Sequence, residues 1–317
     1  MFIIFSLCCK NKMITNLTNK LIDDIPINLK QSQNPIRIDL VLGGGAFNGS
    51  YLVGALYFLK EMERREFIVI ERISGCSVGS IAGLLYMLDD LDKIFHLYKY
   101  LTHKFKKNHN LSIIKDIKNM LKYTDSDDIC SKINNKLYIC YNNIKLRTKI
   151  VKKKYKNFDE LCNIIIRSCF IPYLIDENIS YENKYIDGIT PYFFDEEPNK
   201  KILFLDLYTF DKLDCIINIK NEKTNFHRIL SGLLEIHTFF IKNKSTHMCS
   251  YVNNWSLYEQ KYNYLKIVLE RIFVYILSFL VILHKNINND LKEHFIYKYI
   301  TKISRKIFVS FLDKYCL

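Results

Sequence analysis

Gly75-Cys76-Ser77-Val78-Gly79 sets a serine midway between two glycines. That spacing lets a strained strand-to-helix turn lift the hydroxyl clear of a sheet edge. A serine held this way is a nucleophile for a carbonyl carbon, because nothing bulky stands beside it and the N-terminus of the following helix favours negative charge. Small residues also gather in ordinary turns, so the pentapeptide alone carries little weight. A second run, Gly43-Gly44-Gly45, follows an apolar stretch. Three successive glycines allow close approach to backbone N–H groups, which together with that of Val78 suit the oxyanion of a tetrahedral intermediate. Nucleotide readings of the same run fail. Asn48 stands where a dinucleotide fingerprint needs its last glycine, and Ser50 stands where a Walker loop needs lysine.

A nucleophilic serine needs a base. Asp187 in Tyr185-Ile186-Asp187-Gly188 is an acid at a glycine turn, which by itself reads equally as a plain turn residue. A Ser-Asp-His triad would draw on His227, His237 or His247, but all three fall in a helical stretch and read as packing or surface histidines. His96, His103 and His109 lie in a presumed cap, and His284 and His294 flank apolar segments. No metal-like cluster and no Cys-x-x-Cys pair is present, so neither a metallohydrolase nor a structural zinc site is expected. Cys76, beside the serine, is expected to pack inward.

These residues need a frame that positions them. Ile36–Leu42 reads as a buried strand running into the glycine run, and Asn48–Arg65 carries apolar residues at helical spacing. Phe67–Ile73 reads as a second strand, followed by the Gly75–Gly79 turn and a helix over Ser80–Leu88. Two strand, glycine turn, helix units in succession predict a parallel sheet covered by helices, with chemistry at the carboxyl ends of its strands. Asp92–Tyr141 reads as mainly helical and as a cap. Further expectations are strands at Ile144–Val151, Lys184–Asp187 and Lys201–Leu207, a helix over Phe158–Cys169, and a helical pattern from Thr209 to the end. Within that last part Ile272–Leu283 is apolar all round. Twelve residues make only about 18 Å of helix, which predicts a buried or interfacial segment rather than a span.

GGGAFNG at Gly43–Gly49, GCSVG at Gly75–Gly79, RSCFIP at Arg167–Pro172 and YIDG at Tyr185–Gly188 together resemble the signature order of patatin-like phospholipases. The resemblance covers about Ile36–Leu207. It implies a three-layer α/β/α sheet of modified α/β-hydrolase type, Ser77 as nucleophile and Asp187 as its base in a dyad without histidine. It further implies an oxyanion hole from Gly43, Gly44, Gly45 and Val78, with Gly75, Gly79 and Gly188 shaping the elbow and turn. No cofactor or metal is implied, and the substrate would be a fatty acyl ester of a phospholipid. Asn48 departs from the Arg or Lys that the family often has before its last loop glycine, and Ile189 from the usual Gly or Ala after the D-G pair. These departures keep open a noncatalytic membrane-associated scaffold, and the elbow equally suits a soluble acyl esterase.

The 317 residues divide on this reading into a leader (1–35), with at most a short helix over Ile14–Ile22, a catalytic domain (36–207) and a helical C-terminal region (208–317). A net charge of +13 favours anionic partners. The lysines are dispersed rather than gathered in a docking module, so a phospholipid membrane surface is expected and nucleic acid is not. The ten cysteines show no disulfide framework, which with the lack of a convincing signal peptide predicts an intracellular protein peripheral to membranes. Oligomeric state is not legible.

Overall fold

The computed structural model describes residues 2–30, 34–121, 123, 126–176, 178–209, 212, 215–220, 222, 224–286, 306, 309, 310, 312–314 and 316. In chain order the elements begin with α1 (Phe2–Asp23), α2 (Ile27–Lys30), β1 (Ile36–Leu42), α3 (Gly49–Arg64), β2 (Ile68–Cys76) and α4 (Val78–Met87). Then come α5 (Lys93–Asn108), α6 (Ile117–Leu121), α7 (Ser126–Ile133), β3 (Leu137–Asn143), β4 (Thr148–Lys152) and α8 (Phe158–Ser168). The chain continues through β5 (Tyr185–Asp187), β6 (Lys200–Leu205), α9 (Phe226–Lys242), β7 (Cys249–Tyr251) and α10 (Leu257–Asn286). Helix α1 is much longer than the short helix expected. Its Ile14 and Ile22 are fully buried, Ile14 against Val53 and Ile229 of α3 and α9, and that burial supplies the tertiary packing that sustains a helix of this length.

Among the described residues seven strands form one mixed sheet, six of them in the order β4-β3-β2-β1-β6-β7 and β5 pairing with β3 off that path. Strands β3, β2, β1 and β6 run parallel, while β4 and β7 add antiparallel edges. Flanking helices make it a three-layer α/β/α fold of patatin-like type. Alternation along β1 shows why: Ile38, Leu40 and Leu42 enter the large core shared with α3, α4 and α8, and Val41 points to a second cluster with Ile202 and Phe204. On that second side Asp39 is fully buried and ion-paired with Arg72 and Lys200.

Two strands differ from the sequence reading. Leu137–Asn143, expected in a helical cap, is the strand β3. Leu137, Ile139 and Tyr141 face the main core and Tyr138 the opposite side, a period of two that the surrounding Lys- and Asn-rich helical stretch obscured. Cys249–Tyr251, in the stretch expected to be wholly helical, pairs with β6. A three-residue strand is too short to leave a periodic signal.

The short strand β5 pairs with β3 on the side that β2 vacates. Cys76 at the end of β2 lies opposite Cys140, and the next residue of β3, Tyr141, lies opposite Asp187. Strand β4 occupies the other side of this part of β3, so β5 continues the line of β2.

Candidate active site

Ser77 follows the last residue of β2 and precedes α4. Its backbone has φ 51° and ψ −131°, a region costly for any residue with a side chain and tolerated where the surroundings over-determine it. What enforces the turn is backbone approach on both sides. A Cβ on Gly79 would lie 2.6 Å from the Leu42 carbonyl oxygen and 2.7 Å from that of Gly43, and one on Gly75 would lie 2.5 Å from the Gly79 oxygen. The Ser77 N–H donates to Ser168 Oγ at 3.0 Å, and that hydroxyl donates to the Cys140 carbonyl at 2.6 Å. Ser168, inside the RSCFIP stretch, thus ties the elbow to β3. The sequence reading included it in the RSCFIP stretch but gave it no role of its own.

Asp187 is brought to Ser77 by the register of β5. Its N–H donates to the Phe170 carbonyl at 2.9 Å, and its own carbonyl accepts from Asn142 Nδ2 at 2.9 Å. The carboxyl group is buried, and burial pushes it up to about 7. Hydrogen bonding from the Ser77 hydroxyl opposes that rise, the Glu270 carboxylate adds to it, and the Ile189 N–H and Lys149 oppose it. Asp187 Oδ1 has no hydrogen-bond partner among the described residues, which leaves a buried acceptor beside the serine.

The glycine loop lies against the elbow. A Cβ on Gly44 would meet Ser77 Cβ at 3.2 Å and the Tyr208 hydroxyl at 3.3 Å, and Gly45 has φ 149°. Of the four donors expected to form an oxyanion hole, Gly43 is a correction. Its N–H donates to the Leu205 carbonyl at 2.9 Å, because the β1–β6 ladder runs one residue past the strand. Among the described residues the N–H groups of Gly44, Gly45 and Val78 have no backbone acceptor, Val78 because it opens a helix. Gly188 turns the chain directly over the Cys140 carbonyl. Cys76 packs inward as expected, its Sγ contacting the Ile189 oxygen at 3.4 Å and its thiol pushed up by burial and then by Asp187.

Asn48 has a defined role. It is buried, its Nδ2 donates to the carbonyls of Leu207 and Lys212 at 3.3 and 2.8 Å, and its Oδ1 accepts from Arg228 Nη1 at 2.8 Å. Arg228 on α9 is fully buried and also reaches the carbonyls of Cys215 and Asn218 and the Glu222 carboxylate. The glycine loop therefore has a guanidinium behind it, supplied from a distant helix.

Helix α10 contributes two polar residues one turn apart. Lys266 Nζ lies 2.6 Å from Asp206 Oδ2, and Asp206 Oδ1 accepts from the Tyr208 N–H at 2.9 Å. Glu270 is buried, accepts from Asn142 Nδ2 at 2.6 Å and Lys149 Nζ at 2.9 Å, and also holds the Thr190 hydroxyl. None of Asn142, Lys149, Thr190, Tyr208, Lys266, Glu270 and Arg228 was singled out from sequence. In the sequence each looks like an ordinary solvent-facing polar residue until the fold buries or pairs it.

No histidine joins the site among the described residues. His227 pairs with Glu222, His237 packs on Phe58, and His247 lines a surface groove beside Lys244; His294 lies outside the described residues. No group of three or more His, Cys, Asp or Glu is placed to hold a metal ion among the described residues. Beside Ser77 opens an apolar cavity lined by Phe47, Ile81, Leu97, Leu101, Leu111 and Ile171 with their neighbours, so α5 and the turn after it do cover the serine.

An elbow serine at the carboxyl edge of an α/β/α sheet, beside a D-G turn, is an arrangement also found in α/β-hydrolase folds. Residues 40–190 match the family model described as patatin-like phospholipase, so the chain carries a patatin-like domain, the domain type of lipid acyl hydrolases. No curated protein matches the chain.

Proposed function

We propose that the chain is a carboxylic ester hydrolase that releases fatty acids from phospholipids through a Ser77-Asp187 dyad. The observation that carries this is the buried, partly unpartnered Asp187 carboxyl beside the strained Ser77, next to a cavity lined by apolar side chains. Asp187 takes the proton as Ser77 Oγ attacks the acyl carbon. The developing oxyanion is held by the N–H groups of Gly44 and Gly45, with Val78 at the start of α4. Collapse of the tetrahedral intermediate breaks the ester C–O bond, and the proton on Asp187 passes to the departing lysophospholipid oxygen. Asp187 then deprotonates water, which attacks the acyl-serine and releases the fatty acid, and Ser77 recovers its proton.

A base held at about 7 is well matched to this work, since it is ionised near neutrality yet holds a proton far better than an ordinary carboxylate. The apolar cavity suits the acyl chain, and no step calls on a metal. The test is fatty acid release from mixed phospholipid vesicles in the presence of chelator, comparing the unaltered protein with Ser77→Ala and Asp187→Asn. Release by the unaltered protein alone supports the reading. Equal release by all three, or a rate that appears only when calcium is added, overturns it.

A further inference from the structure

Helix α10 has two unlike sides. Inward it presents Glu270, Val274, Leu277 and Ser278, all buried, with Val274 and Leu277 packed on Ile144 and Ile186. Outward, between Tyr264 and Ile282, it leaves Leu265, Leu269, Ile272, Ile276, Phe279 and Leu280 exposed, Leu265 at 52% and Phe279 at 59%. At 100° per residue these positions, with Phe273, Tyr264 and Tyr275, sweep about half of the helix circumference over roughly 28 Å. Isolated exposed apolar side chains are ordinary, but a continuous strip of this size marks a surface that meets something.

The charges around the strip say what it meets. Residues 264–282 contain one acidic side chain, Glu270, and it points inward. The rim is cationic: Arg271 is exposed on the helix itself, and Arg147 from the β3–β4 turn lays its guanidinium 5.2 Å from the Tyr275 ring centre while its Nε reaches Ser278 Oγ at 3.2 Å. That turn also exposes Lys145 and Leu146. An apolar centre with tyrosines and cations at its border matches a phospholipid surface, where acyl chains lie below and phosphates at the level of the rim. A net charge of +13 attracts anionic lipid and opposes a second copy of the same chain.

The helix cannot cross the bilayer in this fold, because Glu270 and Lys266 on its inner side are committed to Lys149 and Asp206. Among the described residues no helix is long and apolar enough to span a membrane. It can lie flat. We propose that the outer side of α10, with the 145–147 turn, is a docking surface for anionic phospholipid membrane. This deepens the lipid hydrolase reading and rests on it for its purpose, since the same helix holds the Asp187 and Tyr208 segments on its other side through Asn142 and Asp206.

The test uses Ser77→Ala protein, so that lipid is not consumed, sedimented with vesicles of phosphatidylcholine alone or mixed with phosphatidylserine. Replacing Ile272, Ile276 and Phe279 together by serine lowers partition to both vesicles by about tenfold or more, because exposed apolar groups are what the bilayer buries. Arg147→Gln with Arg271→Gln abolishes the preference for phosphatidylserine. Leu234→Ser, at an exposed apolar position on α9, leaves partition unchanged. Circular dichroism and melting temperature of each variant establish that it is folded. Vesicle binding by the triple variant equal to that of its parent overturns the proposal. So does a dimer in light scattering that the triple substitution converts to monomer, which assigns the strip to a second copy. If Ser77→Ala protein docks as described while the unaltered protein cleaves no ester, docking stands and the hydrolase reading falls.

Discussion

Asn142 joins Glu270 to Asp187 through a single amide nitrogen, which donates to Glu270 Oε1 at 2.6 Å and to the Asp187 carbonyl at 2.9 Å. Glu270 lies well beyond the segment that matches the family model, yet it orients the turn that carries Asp187, the proposed base, and helps raise that carboxyl's affinity for a proton. The Asp187 turn is thus held partly by a helix whose other side is apolar and exposed.

If Asp187 acts as the base, kcat/KM on a soluble ester rises with pH through about 7, because only the carboxylate can accept the serine proton. Glu270→Gln keeps an oxygen for Asn142 but removes a negative charge that raises Asp187, and leaves the charge of Lys149 uncompensated. Both effects move the midpoint of the profile to lower pH. A pH–rate profile of the variant with an unmoved midpoint would show that Asp187 does not sense Glu270.

The same burial carries a stability cost with a definite sign. Folded, Asp187 keeps its proton up to about 7, whereas unfolded it releases it near the ordinary carboxylate value of about 3.9. Between those values the folded chain holds more protons, so stability falls as pH rises, and the full cost is present above about 7. Asp187→Asn should therefore melt at a higher temperature than the unaltered protein at about pH 8, with the difference closing towards about pH 4. Calorimetry at both pH values checks this, and a gain independent of pH would assign it to something other than ionisation.

Gly49 opens α3 directly against Val78, and a Cβ there would overlap the Val78 Cγ2 methyl. Gly49→Ala should cost about 1–3 kcal/mol in urea unfolding, the range for overfilling a packed site. Adding Val78→Ala should recover more than half of that loss. Equal and additive losses from the two substitutions would mean that they do not touch.

Arg228 is fully buried, and its removal takes the guanidinium from the Glu222 carboxylate, which keeps the Tyr98 hydroxyl and His227, and leaves the Cys215 and Asn218 carbonyls without that donor. Arg228→Met should lower stability by about 3–5 kcal/mol, as for other buried charges that lose their partner, and Glu222→Gln in the same chain should restore part of it. Because Arg228 also fixes Asn48, the variant should lose kcat on a soluble ester more than it raises KM. A variant with unchanged unfolding and unchanged kcat would remove Arg228 from the account of the glycine loop.

The features legible in the sequence are those that a local backbone demands. Strand β1, the Gly75–Gly79 elbow and the Gly188 turn could be read because a strand needs β-branched apolar residues and a sharp turn needs glycine at fixed offsets, whatever surrounds them. Four such signals in order also pointed to the fold. Strand β3 was lost because its alternation spans only seven residues inside a helix-like stretch, and the length of α1 because distant helices supply the burial that sustains it. That Gly43 spends its N–H on Leu205, that β5 takes the place β2 vacates, and that Asn48 is backed by Arg228 follow from register and packing between segments far apart in the chain. Glu270 and Arg228 carry the same letters as any solvated charge; only the tertiary structure, by withdrawing them from water, obliges each to find its partner and so to shape the site.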